Sequence, residues 1–326
     1  MEVSRSAKGG ASHLIHLTNS THSNLADAVL QNVIETFENK FSKRIRTYYI
    51  EGSYADASTV NSSDIDVLLV FRHEFKDEEQ QQAETLAERL VAESVLELDI
   101  GFVDEQSLIH GVTPMLKFGS SLIYGEDIRD ALPLIPLVEW TRERMHSSLW
   151  RTVHLYNRSS IIRYPLTYPE PNGEFYGYDA RMLRLPNGQE VHCTRDLIRL
   201  TGWSATAMIA FKAGRYVARK SECHRMYQAC FDDEWGQLLQ DIYRLCRGKW
   251  NYLIPENSED RHTLKAICER TLGFENHFLQ VYKKFVLSEL RNADPRGVLQ
   301  VLSVLQKIVY QDEEILAAIA RVRAEL

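Results

Sequence analysis

The sequence contains no apolar run approaching the ~20 residues needed to span a bilayer. Its first ten residues, Met1 to Gly10, contain no apolar stretch of the kind a signal peptide requires. Neither membrane insertion nor export is expected, and a cytoplasmic location is. Cysteine is sparse and unpatterned: five residues (Cys193, Cys223, Cys230, Cys246 and Cys268) in 326, an odd number, with no CxxC pair and no compact Cys/His cluster of zinc spacing. This excludes a disulfide framework or zinc module and leaves reduced thiols. A basic excess is also missing: the formal charge is -7 and the pI about 5.9. A dedicated nucleic-acid binder would normally be basic, so nucleic acid is a poor candidate partner, although tRNA is not excluded by charge alone. There is no internal repeat and no low-complexity segment. What remains is an ordinary globular composition, 44% hydrophobic and 25% charged. At ~150 residues per domain the length suits two domains.

The first third alternates helical and strand patterns. Asn24 to Phe41 places Leu25, Val29, Val33, Phe37 and Phe41 at helical spacing, and Asp77 to Val95 is a second helix candidate. Between and after them, Arg46 to Ile50, Ile65 to Phe71 and Leu96 to Val103 read as strands. From Leu132 onward helices dominate: Leu137 to Arg158, Thr194 to Gly214, Lys220 to Ala229, Glu234 to Arg247, Ser258 to Arg291 and Pro295 to Leu326. The Pro- and Gly-rich stretch from Tyr164 to Gly177 interrupts them, and Pro186-Asn187-Gly188 is a hairpin-type turn signal between 175 and 192. The expected architecture is α+β, a mixed sheet with flanking helices over residues 1–132, followed by a mostly α-helical unit over 133–326.

The chemistry concentrates between Gly52 and Phe71. A strand enters a Gly52-Ser53 turn, where glycine lets backbone approach a ligand and free N–H groups at a helix start can grip phosphate. A polar loop ending in Ser63 then feeds Asp64-Ile65-Asp66. Side chains alternate along a strand, so Asp64 and Asp66 share a face about 7 Å apart. Two such carboxylates suit Mg²⁺ carrying a nucleoside triphosphate. Displacement at phosphorus also needs the attacking hydroxyl deprotonated or held. The next strand offers Asp99 as that base or as a third metal ligand beside Asp64 and Asp66, and Glu97, on the same face, competes with it.

The run from Ile50 to Phe71, Gly-Ser followed by Ser-Asp-Ile-Asp-Val, resembles the nucleotidyltransferase superfamily that shares the DNA polymerase β palm. Leu122 to Asp127 (Leu-Ile-Tyr-Gly-Glu-Asp) and the helical second half are similar to its aminoglycoside adenylyltransferase-like branch. The resemblance implies a nucleotidyltransferase-like fold and Mg²⁺-dependent transfer of a nucleoside monophosphate, AMP from ATP, to a hydroxyl. A small aminoglycoside-like acceptor, and hence antibiotic resistance, is the leading implication; a regulatory or toxin-type enzyme acting on a protein or tRNA is the alternative. By the same resemblance Gly52, Ser53 and Ser63 cradle the triphosphate, Lys220 reaches it from the helical unit, and Tyr243 lies near the nucleotide. The sequence departs at Asp56-Ala57, where many relatives carry glycine, which implies a stiffer loop over the triphosphate.

Three weaker signals complete the reading. Arg219 and His224 have a spacing used by some helical RNA-cleaving domains, although a solvated helix start is the simpler account. Tyr156, Tyr164, Tyr168, Tyr176 and Tyr178 with Trp140 and Trp150 could line an acceptor cleft or simply pack. Glu170, Glu174, Asp179, Asp232, Asp233 and Glu234 would suit a cationic acceptor if they faced it.

Overall fold

The computed structural model describes residues 15–185, 188–292 and 294–325. Helix α1 (Asn24–Lys40) is capped by the Ser23 side chain, which accepts from the Ala26 amide, and it buries Ala26, Leu30, Val33, Ile34 and Phe37. Strand β1 (Ile45–Glu51) runs into the one-turn helix α2 (Gly52–Ala55), and β2 (Ile65–Phe71) returns antiparallel to β1. Helix α3 (Glu79–Glu93) then crosses to β3 (Leu98–Asp104), parallel to β2. After the short α4 (Glu105–Leu108), β4 (Ser121–Gly125) pairs antiparallel with the other edge of β1. The result is a four-stranded mixed sheet in the order β3-β2-β1-β4.

Alternation sorts the sheet's two faces. Tyr48, Ile50, Ile65, Val67, Leu69, Phe71, Leu98 and Ile100 pack against α1 and α3. The opposite face carries Tyr49, Leu68 and Val70 over Leu108, Val112 and Leu116. Toward the end where β2 begins, this second face carries acids: Glu51, Asp66 and Asp99 stand in register across β1, β2 and β3.

The second half is built on α5 (Leu137–His154), followed by β5 (Ile161–Arg163) and the hairpin of β6 (Arg181–Arg184) and β7 (Glu190–Cys193). The hairpin forms as the turn signal implies, although Pro186 and Asn187 lie outside the described residues. Helices α6 (Arg195–Met208), α7 (Cys223–Cys230), α8 (Trp235–Asp241) and the 35-residue α9 (Ser258–Asn292) enclose a core of Leu149, Leu197, Leu200, Tyr227, Leu238, Phe274, Phe278 and Tyr282. The chain closes with α10 (Pro295–Lys307), β8 (Val309–Gln311), parallel to β5, and α11 (Glu313–Glu325). Residues Pro295 to Leu326 are thus two helices with a strand between them rather than one helix. Among the described residues no helix is long and apolar enough to cross a membrane.

Two helices lead into widened π-type turns: α6 at Ile209–Ala213 and α8 at Ile242–Lys249. Such turns re-aim side chains relative to a regular helix. The second one carries Tyr243 and Arg247 toward the sheet half.

Candidate active site

Between the sheet and α6 lies a cleft open to solvent. Its floor comes from the first half. Gly52 adopts φ +66°, a left-handed conformation that glycine takes freely, and a Cβ there would collide with Asp66 Oδ2. Ser53 follows on the first turn of α2, and Asp64 and Asp66 flank the start of β2. The Gly-Ser turn and both aspartates thus face one cavity.

Asp66 is mostly buried, and desolvation, with Asp64 and Asp99 nearby, pushes its pKa up to about 6; Lys220 and Arg195 pull the other way. Glu51 is raised as well, first by burial and then by Asp66. The strand ends therefore hold more negative charge than the chain itself neutralises.

Asp64 differs, because Arg195 Nη2 lies 2.9 Å from its Oδ1. Arg195 begins α6, is buried, and also pairs with Glu97. Glu97 receives a second guanidinium from Arg181 at 3.0 Å. Glu97 therefore ties the sheet to the helical half and stands outside the cleft lining. Asp99 also stands outside the cleft lining; it is exposed, in register with Asp66, and has no hydrogen bond or ion pair among the described residues. An aspartate on this strand needs no compensating partner, because the position faces solvent. Ser63 is buried and its hydroxyl accepts the Val60 amide at 2.9 Å, so it shapes the loop rather than lining the cleft.

The helical half supplies the roof. Lys220 and Tyr243 both line the cleft, as do Arg144, Arg195, Arg199, Arg219 and Arg247. Arg247 donates to the Ser58 carbonyl and, at 2.8 Å, to Tyr252 Oη. Tyr243 stacks on His224 with centroids 4.3 Å apart. Arg219 pairs with Glu222 and donates to the Phe118 carbonyl, so it and His224 are engaged separately. Ser221 donates to Asp56 across the cleft mouth.

Sequence reasoning missed Glu51, Arg195, Arg247 and Trp203. One signal for two of them is legible afterwards: Arg195, Arg199, Gly202, Trp203 and Thr206 recur at helical spacing opposite the apolar stripe of Leu197, Leu200 and Met208. The tyrosines of 156–178 belong elsewhere. Tyr156 and Tyr178 pack edge to face in the core, and Tyr168 stacks on Tyr176.

Among the described residues no three His, Cys, Asp or Glu side chains are grouped to hold a metal ion. The expected three-carboxylate cage is not assembled from protein atoms alone. The donor set nevertheless fits Mg²⁺, which commonly takes one or two carboxylates and completes its shell with water and substrate phosphates. Asp66, crowded by other acids and held beside Asp64, is the carboxylate that a divalent cation would relieve most.

No protein-family model matches the chain, and no curated protein matches it. Among solved structures it is similar to spectinomycin adenyltransferase AAD(9) from Enterococcus faecialis with ATP and spectinomycin. That likeness has 13% identity and a TM-score of 0.47, and covers 78% of this chain and 98% of that one.

Proposed function

We propose that the protein is an Mg²⁺-dependent nucleotidyltransferase of the polymerase β type. In this reading the sheet half, to about residue 132, is catalytic, and it transfers AMP from ATP to a hydroxyl of a small molecule. The observation that carries it is the opposition of two charge sets across one cleft: a carboxylate pair beside a Gly-Ser turn below, and Lys220 with its neighbour Arg219 above. A metal-bound triphosphate needs both, since its metal seeks hard oxygen and its phosphates seek cations.

Asp64 and Asp66 would hold the ion, which when bound supplies charge neutralisation at the α-phosphate. Gly52 and Ser53 present the α2 amides to the phosphates, and Lys220 offsets the charge that accumulates on departing pyrophosphate. Tyr243, fixed by His224, forms part of the nucleotide wall. The acceptor oxygen bonds to the α-phosphorus as the bond to the bridging oxygen breaks. Its proton passes to a carboxylate, for which Asp99, unpaired and in register with Asp66, is freer than Glu97, whose oxygens are occupied by Arg181 and Arg195. Transfer of this kind is mostly positioning and charge stabilisation.

The five cysteines are free, which suits the reducing cytoplasm where ATP is abundant. The test is incubation of the protein with Mg²⁺ and each α-labelled NTP, with acceptor panels of aminoglycosides, phosphorylated sugars, proteins and tRNA. Label appearing on a small acceptor, with ATP preferred, is the expected result. Absence of any metal-dependent pyrophosphate release would overturn the reading.

A further inference from the structure

Helix α6 carries the cleft's other face away from the carboxylates. Arg195, at its start, meets Asp64, and Trp203 lies eight residues on, roughly 12 Å further at 1.5 Å per residue. There the wall changes character. Arg144, only 5% exposed, lines the cleft with its guanidinium 4.3 Å from the Trp140 ring and 3.9 Å from the Trp203 ring. Its Nε is buried with no hydrogen-bond partner. Arg151 covers Trp203 as well, at 3.7 Å, and Arg199 lines the cleft one turn from Trp203.

These three arginines repel one another. Burial first, then Arg144 and Arg199, lower the Arg151 pKa to about 10. Nearby acids compensate only in part: Glu143 pairs with Arg144, and Asp196, 3.8 Å from Arg199, is shared with Arg181. Next to Trp203 the lining is otherwise neutral, from Ile198, Gly202 and Thr206, and a Cβ on Gly202 would meet nothing within 4 Å. Cations gathered around an aromatic ring, short of acids and facing open space, form a site for an oxyanion.

The nucleotide reading leaves this end free, because the triphosphate and its wall use Gly52, Ser53, Lys220 and Tyr243. We infer that the acceptor carries an oxyanion, a phosphate or carboxylate, seated on Arg144 and Arg199 against Trp203, with its hydroxyl directed back toward Asp66. This rests on the transfer reading above. It departs from a polycationic acceptor, which three arginines would repel. Two of the six acids such a ligand would need are engaged elsewhere, Glu174 with Arg261 and Asp233 with the Tyr227 hydroxyl at 3.0 Å, and none of the six lines the cleft.

The test is titration of the full-length protein with inorganic phosphate and, separately, succinate, followed by tryptophan fluorescence. Each titration is done with and without saturating Mg²⁺ and a non-hydrolysable ATP analogue. The expected result is binding of at least one anion beside bound nucleotide, weakened at least tenfold by Arg199→Gln, with analogue affinity unchanged. Arg199 is the residue to change because it is partly exposed and its loss spares the core; Arg144→Gln is the second variant. The better-bound anion identifies the oxyanion. Equal anion affinity in wild type and Arg199→Gln, no anion binding, or an Arg199→Gln effect on the analogue alone would overturn the inference. Failure of the analogue to bind in any variant sinks the transfer reading instead, and the nucleotide-free titrations still judge the oxyanion site.

Discussion

Asp66 sits among acids that the chain only partly neutralises, and two consequences follow at the residue scale. Its pKa lies near 6 in the folded protein, against 3.8 when unperturbed. Between those values the folded state binds more protons than the unfolded one. Stability of the metal-free protein therefore falls as pH rises from about 4 to about 6 and levels off above, a loss on the order of 3 kcal/mol. Asp66→Asn should flatten that slope in thermal melts, and it should also abolish the extra stability that Mg²⁺ confers on the wild type at pH 7. A slope unaltered by Asp66→Asn would place the buried charge elsewhere. The second consequence separates Asp99 from Glu97. Asp99→Ala should lower turnover by at least ~10²-fold, the lower end of what a positioned base contributes. Glu97→Ala, which leaves the Arg195–Asp64 pair in place, should cost less than ~10-fold, and steady-state kinetics of the pair would reveal a reversed ranking.

At the scale of elements, the loop between α2 and β2 shows what a sequence can and cannot disclose. Ala57 lies at φ 54°, in the left-handed region. Glycine at this position would adopt that conformation without strain, so Ala57→Gly should leave stability equal or raise it by up to ~1 kcal/mol. Gly52→Ala meets both a positive φ and the Asp66 carboxylate, and should cost more than ~1 kcal/mol as well as activity, both readable from denaturant unfolding and turnover. These positions were legible because the Gly-Ser turn and the Asp-x-Asp strand are local patterns. The first three strands and the major helices were legible for the same reason, through periods of 2 and 3.6 residues. Strand β4 was not read as a strand from Leu122-Ile123-Tyr124-Gly125, whose pairing with β1 is supplied by sequence far away. Arg195 was invisible for a similar reason: a lone arginine at a helix start gains meaning only when Asp64 and Glu97, both far earlier in the chain, are brought to it.

At the scale of the whole molecule, the two halves are already joined by the chain's own atoms. Arg247 donates to the Ser58 carbonyl, Ser221 donates to Asp56, Ser62 donates to the Asn251 carbonyl at 2.9 Å, and Arg219 donates to the Phe118 carbonyl at 3.3 Å. Arg195 and Arg181 add ion pairs to Asp64 and Glu97. Contacts made in one arrangement and lost in another set the balance between closed and open forms, and a ligand shifts that balance only through interactions that differ between the two. With so many bonds made between the halves by the chain's own atoms, closure does not rest on Lys220 meeting a triphosphate. The radius of gyration of the wild type, measured by small-angle scattering, should change little when Mg²⁺ and an ATP analogue are added. Arg247→Ala removes a buried link between the π-type turn at Ile242–Lys249 and the loop after α2, so it should expand the free protein. The analogue should then restore compactness, because its phosphates still bridge the Gly52-Ser53 turn and Lys220. Nucleotide-driven compaction of the wild type as large as that of the variant would show instead that these bonds form only after ATP arrives.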